Sequence, residues 1–229
     1  MKRIFSVALV LLTLVGCAGP TKYVERPEGS VWGWNRESAE KVASALPVAD
    51  RVRQRLGSSR EGGVVVHVFA HQDPSDNSYG GCSDVRIRLN PSALSNIEFA
   101  LAHECAHWYA VGSPFEGMPL WMEEGLADWI SCEVVGALEF RRLEIQNIGK
   151  FTSSSALFLA GRTRWQTMSV DEIRTLTFIG FMVVDSIGLD EVARLARARS
   201  ETNDYLRAAR LEPVTFETST TASARDDPR

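Results

Sequence analysis

Apolar residues at Ala39, Val42, Ala43, Leu46, Val48, Ala49, Val52 and Leu56 recur at helical spacing among charges. Residues 36 to 57 therefore read as an amphipathic helix, broken or kinked at Pro47 and ended by Gly57. Val64 to Ala70 is a continuous apolar, β-branched run and predicts a buried strand, with His67 a core or face residue within it. Residues 71 to 83 read as loop. Asp84 to Leu89 alternates, with Val85, Ile87 and Leu89 on one side and Asp84, Arg86 and Arg88 on the other, the pattern of a half-buried strand. No Gly or Pro interrupts residues 92 to 111, and the apolar run from Ile97 to Ala102 continues through Trp108 to Val111, so this stretch predicts one helix. Gly112, Pro114, Gly117 and Pro119 then make a connection, after which Pro119 suits the first position of a second helix. Helical periodicity returns at Ala137 to Ile148, Val170 to Ile187, Leu189 to Arg197 and Asp204 to Leu211. Ser169 reads as a cap with Asp171 and Glu172 in the first turn, and Gly188 as a stop.

The ends of the chain follow different patterns. Met1-Lys2-Arg3 is positive, Ile4 to Val15 is apolar apart from Ser6 and Thr13, and small residues follow, so residues 1–16 read as a secretory signal. Leu14-Val15-Gly16-Cys17 resembles a bacterial lipobox. That resemblance implies cleavage before Cys17, lipid on its thiol and amine, and a chain anchored to the bilayer by acyl groups rather than inserted in it. Ala18 at the next position implies the outer membrane of the cell envelope, facing the periplasm. The competing reading is an ordinary secreted protein cut nearby. Residues 17–35 read as a tether whose Trp32 and Trp34 dock on the domain, with a membrane-interface role as the second option. Residues 36–216 form one domain or two closely packed lobes, and the Thr-, Ser- and charge-rich residues 217–229 predict a disordered tail.

Removing residues 1–16 takes away Lys2 and Arg3 and no acid, so the formal charge falls from −4 to −6. A mildly acidic chain argues against a nucleic-acid partner, which calls for a basic footprint. Cys82, Cys105 and Cys132 remain besides Cys17; an odd number leaves at least one thiol outside any intrachain disulfide.

The candidate chemistry lies in His103-Glu104-Cys105-Ala106-His107, which uses two of the chain's four histidines. On a helix, residues four apart share a face, so His103 and His107 present two imidazoles to one point with Glu104 beside them. Two neutral histidines holding a zinc ion, with a carboxylate to activate water, is the arrangement of a hydrolytic zinc site. A catalytic zinc needs a third ligand and an open position. Glu124 supplies it from Pro119-Leu120-Trp121-Met122-Glu123-Glu124-Gly125-Leu126-Ala127-Asp128-Trp129. Asp128, one turn on, can hold the tautomer of a ligating histidine; Glu123 has only Ala127 at the corresponding place. Gly125 costs about 1 kcal/mol inside a helix, which makes sense where another backbone or a substrate comes close.

These two segments together resemble the gluzincin class of zinc metallopeptidases, in particular the small thermolysin-like "peptidase MA-like" domains. The resemblance implies an α+β, zincin-like fold: a small mixed sheet in an N-terminal lobe packed on the histidine-bearing helix, and a mostly helical C-terminal lobe. It implies one Zn2+ per chain on His103, His107 and Glu124, Glu104 as general base, Asp128 supporting a histidine, and a peptide or protein substrate. It further implies that an edge strand lines the cleft and pairs with substrate backbone, a role that falls on residues 83 to 89 unless that strand merely completes the sheet. One departure stands out. Family members often carry a tyrosine or histidine on the C-terminal helix to stabilise the oxyanion, and Ile173 to Phe178 contains neither; Tyr79, Tyr109, His71 and Arg174 are substitutes by residue type. The departure motivates a rival expectation, a catalytically inactive zincin-fold lipoprotein that binds or scaffolds. The envelope location motivates another, hydrolysis of the peptide stem of the cell wall.

Overall fold

A computed structural model describes residues 22–71, 80–83, 85–148 and 168–211. The signal over 1–16, Cys17, Tyr79 and the tail 217–229 lie outside the described residues.

The first departure from expectation is at the start. Much of the stretch expected as a tether is sheet: β1 (Lys22–Arg26) and β2 (Gly29–Gly33) pair antiparallel, Tyr23 opposite Trp32. The pairing was hidden because each strand is short and puts one valine inward, Val24 or Val31, too little for a period to register. β2 then runs parallel to β3 (Val64–Val68), with Val31 beside Val66 and Trp32 beside His67. β3 runs parallel to β5 (Ile87–Leu89), and β4 (Gly80–Cys82) closes the order β1-β2-β3-β5-β4 antiparallel to β5. The five strands make a small mixed sheet.

That order corrects a second expectation. The segment 83 to 89, assigned the edge strand, contributes β5, which has β3 on one side and β4 on the other; the edge belongs to β4, within the stretch read as loop. Gly80-Gly81-Cys82 carries no alternation that could have revealed it.

One face of the sheet is apolar. Val31, Val64, Val66, Val68, Ile87 and Leu89 are all fully buried there. Helices α1 (Arg36–Ala45) and α2 (Pro47–Leu56) divide at Leu46, as Pro47 requires, and Gly57 ends α2 in the left-handed conformation at φ 58°. α1 lies on β1 and β2, while α2 packs on α3 (Ile97–Ala110), which itself lies against β4 and β5. The single helix expected over 92 to 111 is two pieces, a 3-10 helix at Pro91–Asn96 and then α3.

α4 (Leu120–Val135) starts one place later than expected, with Pro119 as its cap residue rather than its first helical position. α3 and α4 bury residues all round, so both are interior helices. α5 (Leu138–Ile148), α6 (Val170–Arg197) and α7 (Thr202–Ala208) complete the helical half. Ser169 and Glu172 form the expected reciprocal cap on α6, and Gly188 interrupts that helix at φ 77°, where the sequence places a stop. The class is mixed α+β. Among the described residues no helix is long and apolar enough to cross a membrane.

Gly125 finds its reason here. A methyl group built on it would lie 2.3 Å from the Cα of Gly180, so α4 and α6 cross backbone on backbone. The close approach is another helix.

Candidate metal centre

α3 presents His103 and His107 one turn apart, and α4 packs against α3 so that Glu124 meets both rings. The Nε2 atoms of the two histidines face each other at 3.3 Å. Glu124 Oε2 lies 3.4 Å from His103 Nε2 and 3.7 Å from His107 Nε2. The three ligand atoms thus form a near-equilateral triangle. Two donors 2.0–2.1 Å from a tetrahedral zinc ion lie about 3.3–3.4 Å from each other, so these spacings suit one small divalent ion with a direction left open. Among the described residues no other group of three His, Cys, Asp or Glu side chains converges in this way.

The electrostatics agree with the geometry. Burial works against charge on both His107 and Glu124, but their mutual attraction outweighs it. His107 is pushed up to about 9, and Glu124 is held far below the usual carboxylate range by His107 and His103. A cation binding here competes with a proton for the same nitrogen.

Glu104 is buried at 6% exposure. Burial raises its pKa, with His103 and His107 opposing the rise. Its Oε2 is buried and makes no hydrogen bond to the protein. A buried carboxylate oxygen without a partner costs free energy, and it is commonly satisfied by a water or ion. The donor set and this unpaired oxygen together fit a site for one divalent metal ion.

Asp128, which the sequence offers as support for a ligating histidine, has its carboxylate on the guanidinium of Arg141, which donates from Nε at 2.8 Å and also from Nη2. Arg141 also donates to Glu144 at 2.7 Å and lies over the rings of Phe99 and Phe178. Phe99 is on α3, Asp128 on α4 and Phe178 on α6, so one guanidinium ties together the two helices of the triangle and the helix behind them. Next along α5, Arg142 makes two bonds to Asp185 of α6, at 2.9 and 2.7 Å, and the Trp129 indole N–H reaches the same carboxylate at 3.0 Å. Sequence reasoning missed both arginines. Their only signal was adjacency in a helix of unassigned role, because the acids they pair with are 13 and 43 residues away.

The substitutes for an oxyanion donor can also be placed. Tyr109 is buried at 1% exposure, with a pKa pushed up to about 12, chiefly by burial and then by Cys105 and Asp50. Arg174 is bound to Glu144 at 2.7 Å. His71 lies exposed just past the end of β3. None of the three makes a hydrogen bond or ion pair to a side chain of the triangle. Cys105 and Cys132 are buried thiols, and Cys82 is partly buried in β4.

In sequence the chain matches no protein-family model and no curated protein.

Proposed function

We propose that this chain is a zinc-dependent peptidase of gluzincin type, on a zincin-like fold, held to the cell envelope by acylated Cys17. The observation that carries this reading is the triangle of His103, His107 and Glu124 with edges of 3.3, 3.4 and 3.7 Å, beside the unpaired oxygen of Glu104. Zinc held by those three side chains would supply Lewis acidity, polarising a carbonyl and acidifying water. Glu104 accepts the proton of the attacking water at its carboxylate and delivers it to the leaving nitrogen. Its burial keeps competing water away and favours the protonated form once the proton has been taken. Arg141 and Gly125 position Glu124 without touching substrate.

The test is metal content together with hydrolysis of casein or a peptide library. Wild type should carry one zinc and cleave. Glu104→Gln should keep zinc and lose turnover by at least about 100-fold, the lower range for general-base catalysis. Glu124→Ala and His103→Ala should lose zinc. Full-rate hydrolysis by Glu104→Gln refutes the assigned base.

Tyr109 is buried in the core and Arg174 is engaged by Glu144, which favours a second reading, a zincin-fold lipoprotein that binds without cleaving. Zinc bound at full stoichiometry with no hydrolysis of any peptide, including the stems of purified cell-wall sacculi, selects that reading.

A further inference from the structure

The outward face of the sheet carries a row of side chains that the metal centre does not use. Pairing places Tyr23, Trp32, His67 and Arg88 side by side across β1, β2, β3 and β5. Tyr23 and Trp32 touch at 4.9 Å between ring centres, and Trp32 and His67 at 6.1 Å. Their neighbours along each strand, Val24, Val31, Val66, Ile87 and Leu89, point into the core, so the row points the other way. Tyr23 is 47% exposed, Trp32 37% and Trp34, just past β2, 45%. Arg88 is exposed over the ring of Phe69, and the charge of Arg86 reaches His67. Glu25 beside Tyr23 is an acid on this side.

We infer that this face rests on the lipid bilayer, its aromatic rings at the headgroup level and its arginines against phosphate. The inference rests on the proposed acylation of Cys17. Four residues separate Cys17 from Lys22, and a chain spans at most about 3.3–3.6 Å per residue, so the start of β1 lies within roughly 18 Å of the lipid anchor. Rings with a polar edge, such as Trp and Tyr, favour the membrane–water interface, and guanidinium groups pair well with phosphate. A short tether also raises the local concentration of bilayer at this face, so that a contact too weak to hold a free protein becomes populated. The consequence is an orientation. α3 packs on the core side of the sheet, against β4 and β5, so the sheet stands between the membrane and the helix that carries His103 and His107.

The test uses the full lipidated protein in vesicles of phosphatidylethanolamine and phosphatidylglycerol brominated high on the acyl chains, with tryptophan quenching as the readout. Trp165, outside the described residues, is replaced by Phe in both proteins, and Trp108, Trp121 and Trp129, buried in α3 and α4, serve as the internal background. Wild type should be quenched, and the double substitution Trp32→Phe, Trp34→Phe should reduce the quenched signal at least three-fold, while zinc content and hydrolysis of a soluble peptide stay unchanged. Mass spectrometry of Cys17 runs in parallel. Acylated Cys17 with no quenching, or with quenching that survives the double substitution, overturns the surface and leaves the anchor standing. Unmodified Cys17 overturns the anchor and the surface with it, and leaves the zinc reading untouched. A dimer in detergent that the double substitution dissociates assigns the face to a second copy of the chain and also overturns the proposal.

Discussion

Replacing Gly125 by alanine tests the crossing that holds Glu124 in place. In an exposed helix this change stabilises by about 1 kcal/mol, because alanine gives up less backbone freedom on folding. Here the new Cβ would stand 2.3 Å from both the Cα and carbonyl C of Gly180 and 2.5 Å from the nitrogen of Phe181. Carbon atoms rest about 3.5–4.0 Å apart, so the helices must separate by more than about 1 Å. All three obstructing atoms are backbone, and no side-chain rotation relieves the clash. Overpacking typically costs about 1–3 kcal/mol, and a backbone clash belongs at the upper end. Offset by the propensity gain, the net loss is about 2 kcal/mol. For a chain of this size that lowers Tm by about 4–8 °C. The same displacement shifts α4, and with it Glu124, relative to the two histidines of α3, so zinc affinity should fall along with stability. Thermal unfolding at fixed free zinc, paired with zinc titration, measures both. Gly180→Ala, whose Cβ meets the Trp121 carbonyl oxygen at 2.5 Å, should behave alike, whereas Gly81→Ala, with nothing within 4 Å, should be close to neutral. A Gly125→Ala protein more stable than wild type by about 1 kcal/mol would show that the helices are not in backbone contact, and the argument would fail.

Other predictions follow the same network. Arg141→Met should destabilise by about 3 kcal/mol, because Asp128, 3% exposed, is left as an uncompensated buried charge; adding Asp128→Leu should recover part of the loss, which a double-mutant cycle by urea unfolding reads directly. Asp185→Asn should cost about 1 kcal/mol at neutral pH, the 24% exposure of the carboxylate limiting the value. Burial would raise the pKa of Asp185, but Arg142 and Trp129 hold it below the ordinary value. Its contribution is therefore full above the unfolded value near 3.9 and lost as pH falls towards the folded one. The gap between wild type and Asp185→Asn should narrow between about pH 5 and pH 2; a constant gap refutes the pairing. Free zinc at about 100 times its dissociation constant should stabilise wild type by about 2.7 kcal/mol, and a chelator should remove that increment. In Glu124→Ala the chelator should have no effect on Tm.

Much of this protein is written in its local spacing. His103 and His107 four apart on an uninterrupted apolar stretch already place two imidazoles on one face. Glu124 in the next helix already offers the carboxylate that the structure brings to both rings. Pro47, Gly57, Ser169 and Gly188 mark helix ends where the backbone does end or turn, because the missing N–H of proline, the left-handed tolerance of glycine and the reciprocal bonds of a cap act within a turn of themselves. What local spacing leaves open is everything decided between distant segments. β1, β2 and β4 are too short to carry a period, and became strands because neighbours supplied the hydrogen bonds. Asp128 meets Arg141 because α5 packs on α4 and brings a guanidinium to a buried carboxylate. Gly125 needed its partner Gly180, 55 residues on, before its cost had a reason. The sequence by itself determined which faces each helix offers; only the tertiary structure decided which of those faces meet, since periodicity is a property of one segment and pairing energy a property of two.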